Sequence, residues 1–280
     1  MSIEVLRDII EQRLGIPALP GIVLGLNKIV QAPDAGPKDV AIELQKDPAL
    51  SAQVLKLANS SAYGLRASIQ TIDHASSVLG MKALQGMIAQ ASILSIYRDT
   101  NMKSPFDFDG LWRHCVVCAH LSVRLACIAR IPGVVLVPDE LYTCGLLHDL
   151  GKIVLANSIG ESYVRLVEQC HLHRPLWRAE QETLGFNHSD VGALVALRWR
   201  LPEAVVSSIQ EHHATSGQGS MSAEARVVHI ADRTAHCILE GTIDDSRYLY
   251  PRVKFLLGIT PSEYKQAIEW GMGMARAIAV

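Results

Sequence analysis

Residues 145–152 read Gly145-Leu146-Leu147-His148-Asp149-Leu150-Gly151-Lys152, an apolar segment running into an adjacent imidazole and carboxylate. Upstream, 138–148 reads as one helix, and downstream 153–156 reads as its short continuation. Farther out, 111–129 forms a long helix, and 158–170, 175–184, 189–199, 202–212, 223–239 and 261–279 can each be drawn as helices. Apolar residues recur mostly at spacings of three and four, and aromatics are only 5% of the chain, so the pattern predicts an all-α fold. A His-Asp pair after an apolar helix would set imidazole and carboxylate side by side at a helix end. That is the mixed N/O donor set that a divalent transition metal takes. The competing reading is a helix-terminal His beside an Asp that caps the next turn.

The first hundred residues are helical by the same pattern. A first helix spans 3–14, and Ile16-Pro17-Ala18-Leu19-Pro20-Gly21 makes a rigid extended entry to the apolar face of Ile22, Leu26, Ile29 and Val30. Pro37 opens the next element, and Asp47-Pro48 opens a helix over 49–58 that closes in Asn59-Ser60-Ser61-Ala62-Tyr63-Gly64. Two more, 72–79 and 82–96, meet at Gly80. The polar stretch 99–110 with Pro105 reads as a linker, which divides the chain into 1–104 and 105–280.

The halves differ in chemistry. Of eleven histidines only His74 precedes residue 110; the other ten and all six cysteines lie between His114 and Cys237. Net charge is −2 across 280 residues, and neither half has the basic excess that phosphate-backbone binding needs, so no nucleic-acid partner is expected. The N-terminal MSIEVLRDII lacks the apolar core of a signal peptide, and no apolar run reaches the roughly 18 residues of a bilayer span. A cytoplasmic protein without a membrane partner is the expectation. The cysteine spacing makes no compact disulfide framework and suits small buried side chains in a reducing compartment.

His114, His188, the His212-His213 pair and Asp232 lie in separate helical segments, and with His148 and Asp149 they would furnish two ions bridged by one carboxylate. Their order resembles the HD superfamily of metal-dependent phosphohydrolases. More specifically, PALPGIVLGL, KDPALSAQVLKLANSSAYG, LWRHCVVCAH, GLLHDLGK, ETLGFNHSDVGALVALRWRLPE and EHHA resemble the HDOD family over roughly residues 13–215. The resemblance implies an N-terminal helical subdomain packed on an HD-like bundle. It assigns His114, His148, Asp149 and Asp232 to one ion, and Asp149, His188, His212 and His213 to a second. Iron, manganese or zinc is the implied metal, and Lys152 matches the lysine that contacts a substrate phosphate. Two features depart from related cyclic-dinucleotide phosphodiesterases. Gly110 stands where some carry an acid one turn before the first His, with Asp107 and Asp109 nearest, and no Gly-Tyr-Pro loop follows His213.

The remaining polar residues have plainer readings. His120 lies about 120° around the helix from His114 and reads as core or surface. His229 and His236 flank Asp232 and read as core or hydrogen-bonding partners rather than ligands. His171 and His173 read as solvated, and Cys115-x-x-Cys118 has no second pair to make a zinc site. Residues 71–87 imitate a helix-turn-helix but offer few base-reading side chains, and the run 261–280 docks on the chain's own core. Two functions compete: a bacterial signalling or regulatory module with a protein partner and a retained metal or nucleotide site, of the kind found in motility, chemotaxis or cyclic-di-GMP signalling, or a metal-dependent phosphohydrolase of a nucleotide or cyclic-dinucleotide phosphodiester. Under the second, Asp149 and Lys152 are the catalytic residues. A metal-free structural adaptor is the third reading.

Overall fold

A computed structural model describes residues 34–44, 48–59, 69–80, 106–170, 175–214, 221–243 and 249–278, with isolated positions between them. Among these residues there are helices and no strands. In the first half they are α1 (Pro37–Leu44), α2 (Pro48–Ala58) and α3 (Ile72–Leu79), which gather Val40, Leu44, Leu50, Val54, Ile69 and Ile72 into one buried cluster. The expected helices over 3–14 and 82–96 lie largely outside the described residues.

The second half begins with α4 (Phe108–Ile128), which starts inside the expected linker because Asp107 caps it: the carboxylate accepts the Gly110 N–H at 2.8 Å. By length and composition α4 could span a bilayer, contrary to the sequence expectation that no segment could. It is packed instead against α5 (Pro138–Leu147), α11 (Ala223–Leu239) and α13 (Pro261–Ile278) as a core helix. Every residue of α5 from Leu141 to Leu147, and of α6 (Leu150–Ile159) from Leu150 to Ala156, is buried, so neither shows an amphipathic stripe. The His-Asp pair is thus the joint between the two most enclosed helices. Around them lie α7 (Glu161–Glu168), α8 (Leu176–Leu184), α9 (His188–Arg198) and α10 (Glu203–Glu211). A further helix that the sequence pattern did not single out, α12 (Tyr250–Leu257), leads into α13.

Close backbone approach fixes the arrangement. A Cβ on Gly145 would lie 2.8 Å from Ala119 Cα, so α4 and α5 touch there. On Gly151 it would lie 1.9 Å from the His188 carbonyl oxygen, and Gly192 answers it from α9. The two glycines flanking the His-Asp pair therefore bring α4 to one side of it and α9 to the other. Thr234 and Tyr264 share a buried 2.6 Å hydrogen bond that ties α11 to α13.

Candidate metal centre

His148 and Asp149 form the turn between α5 and α6. Asp149 occupies the N-cap position of α6 but makes no side-chain cap bond, so the capping reading does not hold. Its Oδ2 lies 3.3 Å from His148 Nε2 and 3.6 Å from His114 Nε2; its Oδ1 lies 3.3 Å from His188 Nε2 and 3.8 Å from His212 Nε2. One carboxylate thus faces two groups of imidazoles.

The first group draws on three helices. His114 Nε2 from α4 stands 3.2 Å from His148 Nε2 and 3.1 Å from Asp232 Oδ1 of α11, and His148 Nε2 is 3.6 Å from the same oxygen. The second comprises Asp149, His188, His212 and His213, with His188 Nε2 and His213 Nε2 2.9 Å apart. Except for the half-buried His213, these side chains are buried. All seven residues expected to hold metal therefore meet in one place.

Outer partners set the direction of three of the rings, those of His148, His212 and His188. His148 donates Nδ1–H to the Gly145 carbonyl at 2.8 Å, and His212, at the end of α10, donates Nδ1–H to the Ile209 carbonyl at 2.7 Å. In both, an otherwise unpaired C-terminal helix carbonyl fixes the tautomer and turns Nε2 inward. His188 donates Nδ1–H to Glu180 Oε2 at 2.6 Å, while Tyr163 donates to the other Glu180 oxygen, also at 2.6 Å. His229 donates to the His212 carbonyl at 2.6 Å, which gives it the hydrogen-bonding role expected of it.

The donors fit a metal. Ligands about 2.0–2.1 Å from a zinc-type ion stand about 3.4 Å apart in a tetrahedron and about 3.0 Å apart at adjacent octahedral positions. In the first group three donor separations, 3.1, 3.2 and 3.3 Å, fall in that range and two, at 3.6 Å, lie just above it. Asp149 Oδ1, Asp232 Oδ2 and His212 Nε2 are buried without hydrogen-bond partners, open valences that a cation would fill. Burial opposes ionisation of Asp149 and Asp232, yet the adjacent histidines, and Lys152 beside Asp149, hold both carboxyls well below their usual range. Burial would likewise lower His148, but Asp149 outweighs it and raises that imidazole. Burial and the neighbouring His236 lower His114 to about 4. Lys152 places Nζ 2.5 Å from Asp149 Oδ2, and that carboxylate outweighs burial to keep the amine protonated.

Other residues divide. Asp107 is spent on capping α4 and Asp109 is exposed, so neither replaces the acid that Gly110 lacks. Cys115 and Cys118 are buried and free, with the Cys115 thiol pushed up to about 12 by burial, as fits a packing role. Sequence reasoning missed Glu180, which lies eight residues before its partner and carries no spacing signal. It also set aside His236, whose Nε2 stands 3.5 Å from Asp232 Oδ1. His171 and His173 lie outside the described residues.

A model of the HDOD domain matches residues 16–215. The fold is similar to an HDOD domain protein of unknown function from Geobacter sulfurreducens, 24% identical, covering 99% of this chain and 98% of that one, with a TM-score of 0.74. It is also similar to a candidate phosphohydrolase from Shewanella amazonensis SB2B, 26% identical, covering 96% and 97%, with a TM-score of 0.71. A Treponema pallidum (strain Nichols) protein of uncharacterized function is 28% identical over 199 residues, 71% of this chain. The match spans only 37% of that relative's length.

Proposed function

We propose, for a chain that belongs to the HDOD family, that it is a cytoplasmic regulatory module that binds two divalent ions and relays a signal to a protein partner. The observation that carries the metal reading is the set of imidazoles pinned through Nδ1 with Nε2 turned onto the two faces of Asp149. His114, His148, Asp149 and Asp232 would hold one ion, and Asp149, His188, His212 and His213 the other. Nitrogen and carboxylate donors favour iron, manganese or zinc over calcium or magnesium. The non-catalytic role is supported by Gly110 where some related phosphodiesterases carry an acid, by the missing Gly-Tyr-Pro loop, and by Lys152, which is committed to Asp149.

A second reading, hydrolysis of a nucleotide or cyclic-dinucleotide phosphodiester, is favoured by Asp149 facing both donor groups. Bound ions would supply Lewis-acid polarisation of a phosphoryl group. Asp149 would position them, and Lys152 would offset charge developing on phosphate oxygens. Turnover of bis(p-nitrophenyl) phosphate and of cyclic dinucleotides by the manganese- or iron-loaded chain separates the readings. Bound metal without turnover is the expected result. Turnover that Asp149→Asn abolishes would replace the regulatory reading with the hydrolytic one.

A further inference from the structure

We propose that His236 is an additional, solvent-side ligand of the ion that His114 and Asp232 hold; this rests on the metal reading above and extends its ligand set. His236 follows Asp232 by one turn of α11, so both side chains leave the same helix face. Its Nε2 lies 3.5 Å from Asp232 Oδ1, the oxygen that His114 Nε2 approaches at 3.1 Å. The His114 and His236 rings lie with centroids 4.2 Å apart and 35° between their planes, and one donor atom from each of His114, Asp232 and His236 falls within 4.8 Å of the other two. Opposite donors on one six-coordinate ion stand about 4.2 Å apart, so a small side-chain adjustment brings all three onto one ion.

Two further features point to a cation. Asp232 Oδ2 is buried with no hydrogen-bond partner. Behind His236, Glu240 Oε1 lies 3.7 Å from Nδ1, a looser and more exposed counterpart of the 2.6 Å hydrogen bond between Glu180 and His188. Each of these histidines has a glutamate at Nδ1 and presents Nε2 to a buried aspartate: Asp149 for His188, Asp232 for His236. A glutamate hydrogen-bonded there orients the ring and raises its basicity toward a metal, which Glu180 does for His188 and Glu240 would do for His236 on closing to hydrogen-bond distance.

The consequence is a more restricted ion. Catalytic centres keep a coordination position open for water or substrate, whereas structural ones fill it with protein. His236 would add a fifth protein donor to an ion already faced by His114, His148, Asp149 and Asp232. Its side chain is 42% exposed, so it is a donor that an entering anion could reach and displace. Five protein donors leave a six-coordinate ion one open position, so His236 would narrow access to the ion, and its displacement would be needed to free a second position.

The test compares the metal-free wild-type chain with His236→Ala, and with His236→Gln as a variant of similar size, by cobalt(II) titration read in the visible spectrum. Water-proton relaxivity of the manganese(II) form is the second readout, and circular dichroism checks the fold. The expected result is at least ~10-fold weaker binding in one of the two steps, an altered cobalt spectrum, and higher relaxivity per bound manganese as water replaces the imidazole. Glu240→Gln should give a smaller loss in the same step. Unchanged affinity, spectrum and relaxivity in folded His236 variants would overturn this inference and leave the two-ion reading intact. Absence of binding by the wild-type chain would overturn both.

Discussion

Gly151→Ala tests whether the contact of α6 with α9 builds the centre. The added Cβ would lie 1.9 Å from the His188 carbonyl oxygen and 2.8 Å from both the His188 carbonyl carbon and the Gly192 nitrogen, whereas ordinary contact begins at 3.4 Å. All three atoms are backbone, so no rotamer relieves the clash; α9 must retreat by about 1.5 Å at His188. Overpacking costs about 1–3 kcal/mol where side chains can yield, and a backbone-limited case belongs at or above the upper end. At about 2–4 °C per kcal/mol for a chain of this size, the melting temperature should fall by roughly 6–12 °C. A retreat of that size also exceeds the ~0.2 Å tolerance of a metal–ligand bond, so the ion on His188 should be lost.

Thermal melts in chelator followed by metal titration read the two effects separately. Gly273→Ala is the control: it is exposed on α13 with nothing within 4 Å of the added Cβ, and it should stabilise by up to about 1 kcal/mol through helix propensity. If Gly151→Ala melts within about 1 °C of wild type and binds metal normally, the close-approach reasoning is wrong.

Glu180→Gln removes the negative charge behind the His188 Nδ1–H and one of the two oxygens that accept from His188 and Tyr163, while keeping side-chain size; the ion on His188, His212 and His213 should bind ~10–100-fold more weakly and the other ion nearly as before, as competition with a chelator would reveal. At the start of α13, hydrogen bonds from Arg130, and then from the Thr260 backbone and hydroxyl, lower the exposed Glu263 carboxyl to about 2. A carboxyl depressed below its unfolded value of 4.5 stabilises fully above that value, and the contribution is lost as pH falls toward about 2. The melting temperatures of wild type and Glu263→Gln should therefore differ most above about pH 5 and converge near pH 2; a constant difference across that range would contradict the assignment.

The sequence made the helical class and the donor set legible for different reasons. Spacings of three and four survive in helices with one solvated face, and 72–79 and 223–239 come out with the observed limits. The expected 138–148 matches α5 to within a residue, but α6 is buried on every side from Leu150 to Ala156, which erases the period, so the pattern shows only 153–156 of a helix that spans Leu150–Ile159. The seven donors are legible through the resemblance to the HD and HDOD families, which supplies their order; their residue types alone do not show that they converge. Glu180 is not legible, because it acts through a fold contact between α8 and the start of α9 that no local pattern encodes. The flanking glycines were visible as letters in GLLHDLGK, but their role required knowing which backbones cross there.

Metal stoichiometry tests the central claim most directly: the chain is purified without chelator, and bound metal is measured in wild type, His114→Ala and Asp149→Asn. Because Asp149 faces both donor groups and His114 only one, about two ions per chain are expected in wild type, about one in His114→Ala and almost none in Asp149→Asn, with wild-type thermal stability falling on chelation. Less than about 0.2 metal per wild-type chain, with melting unchanged by added iron, manganese or zinc, would contradict the account.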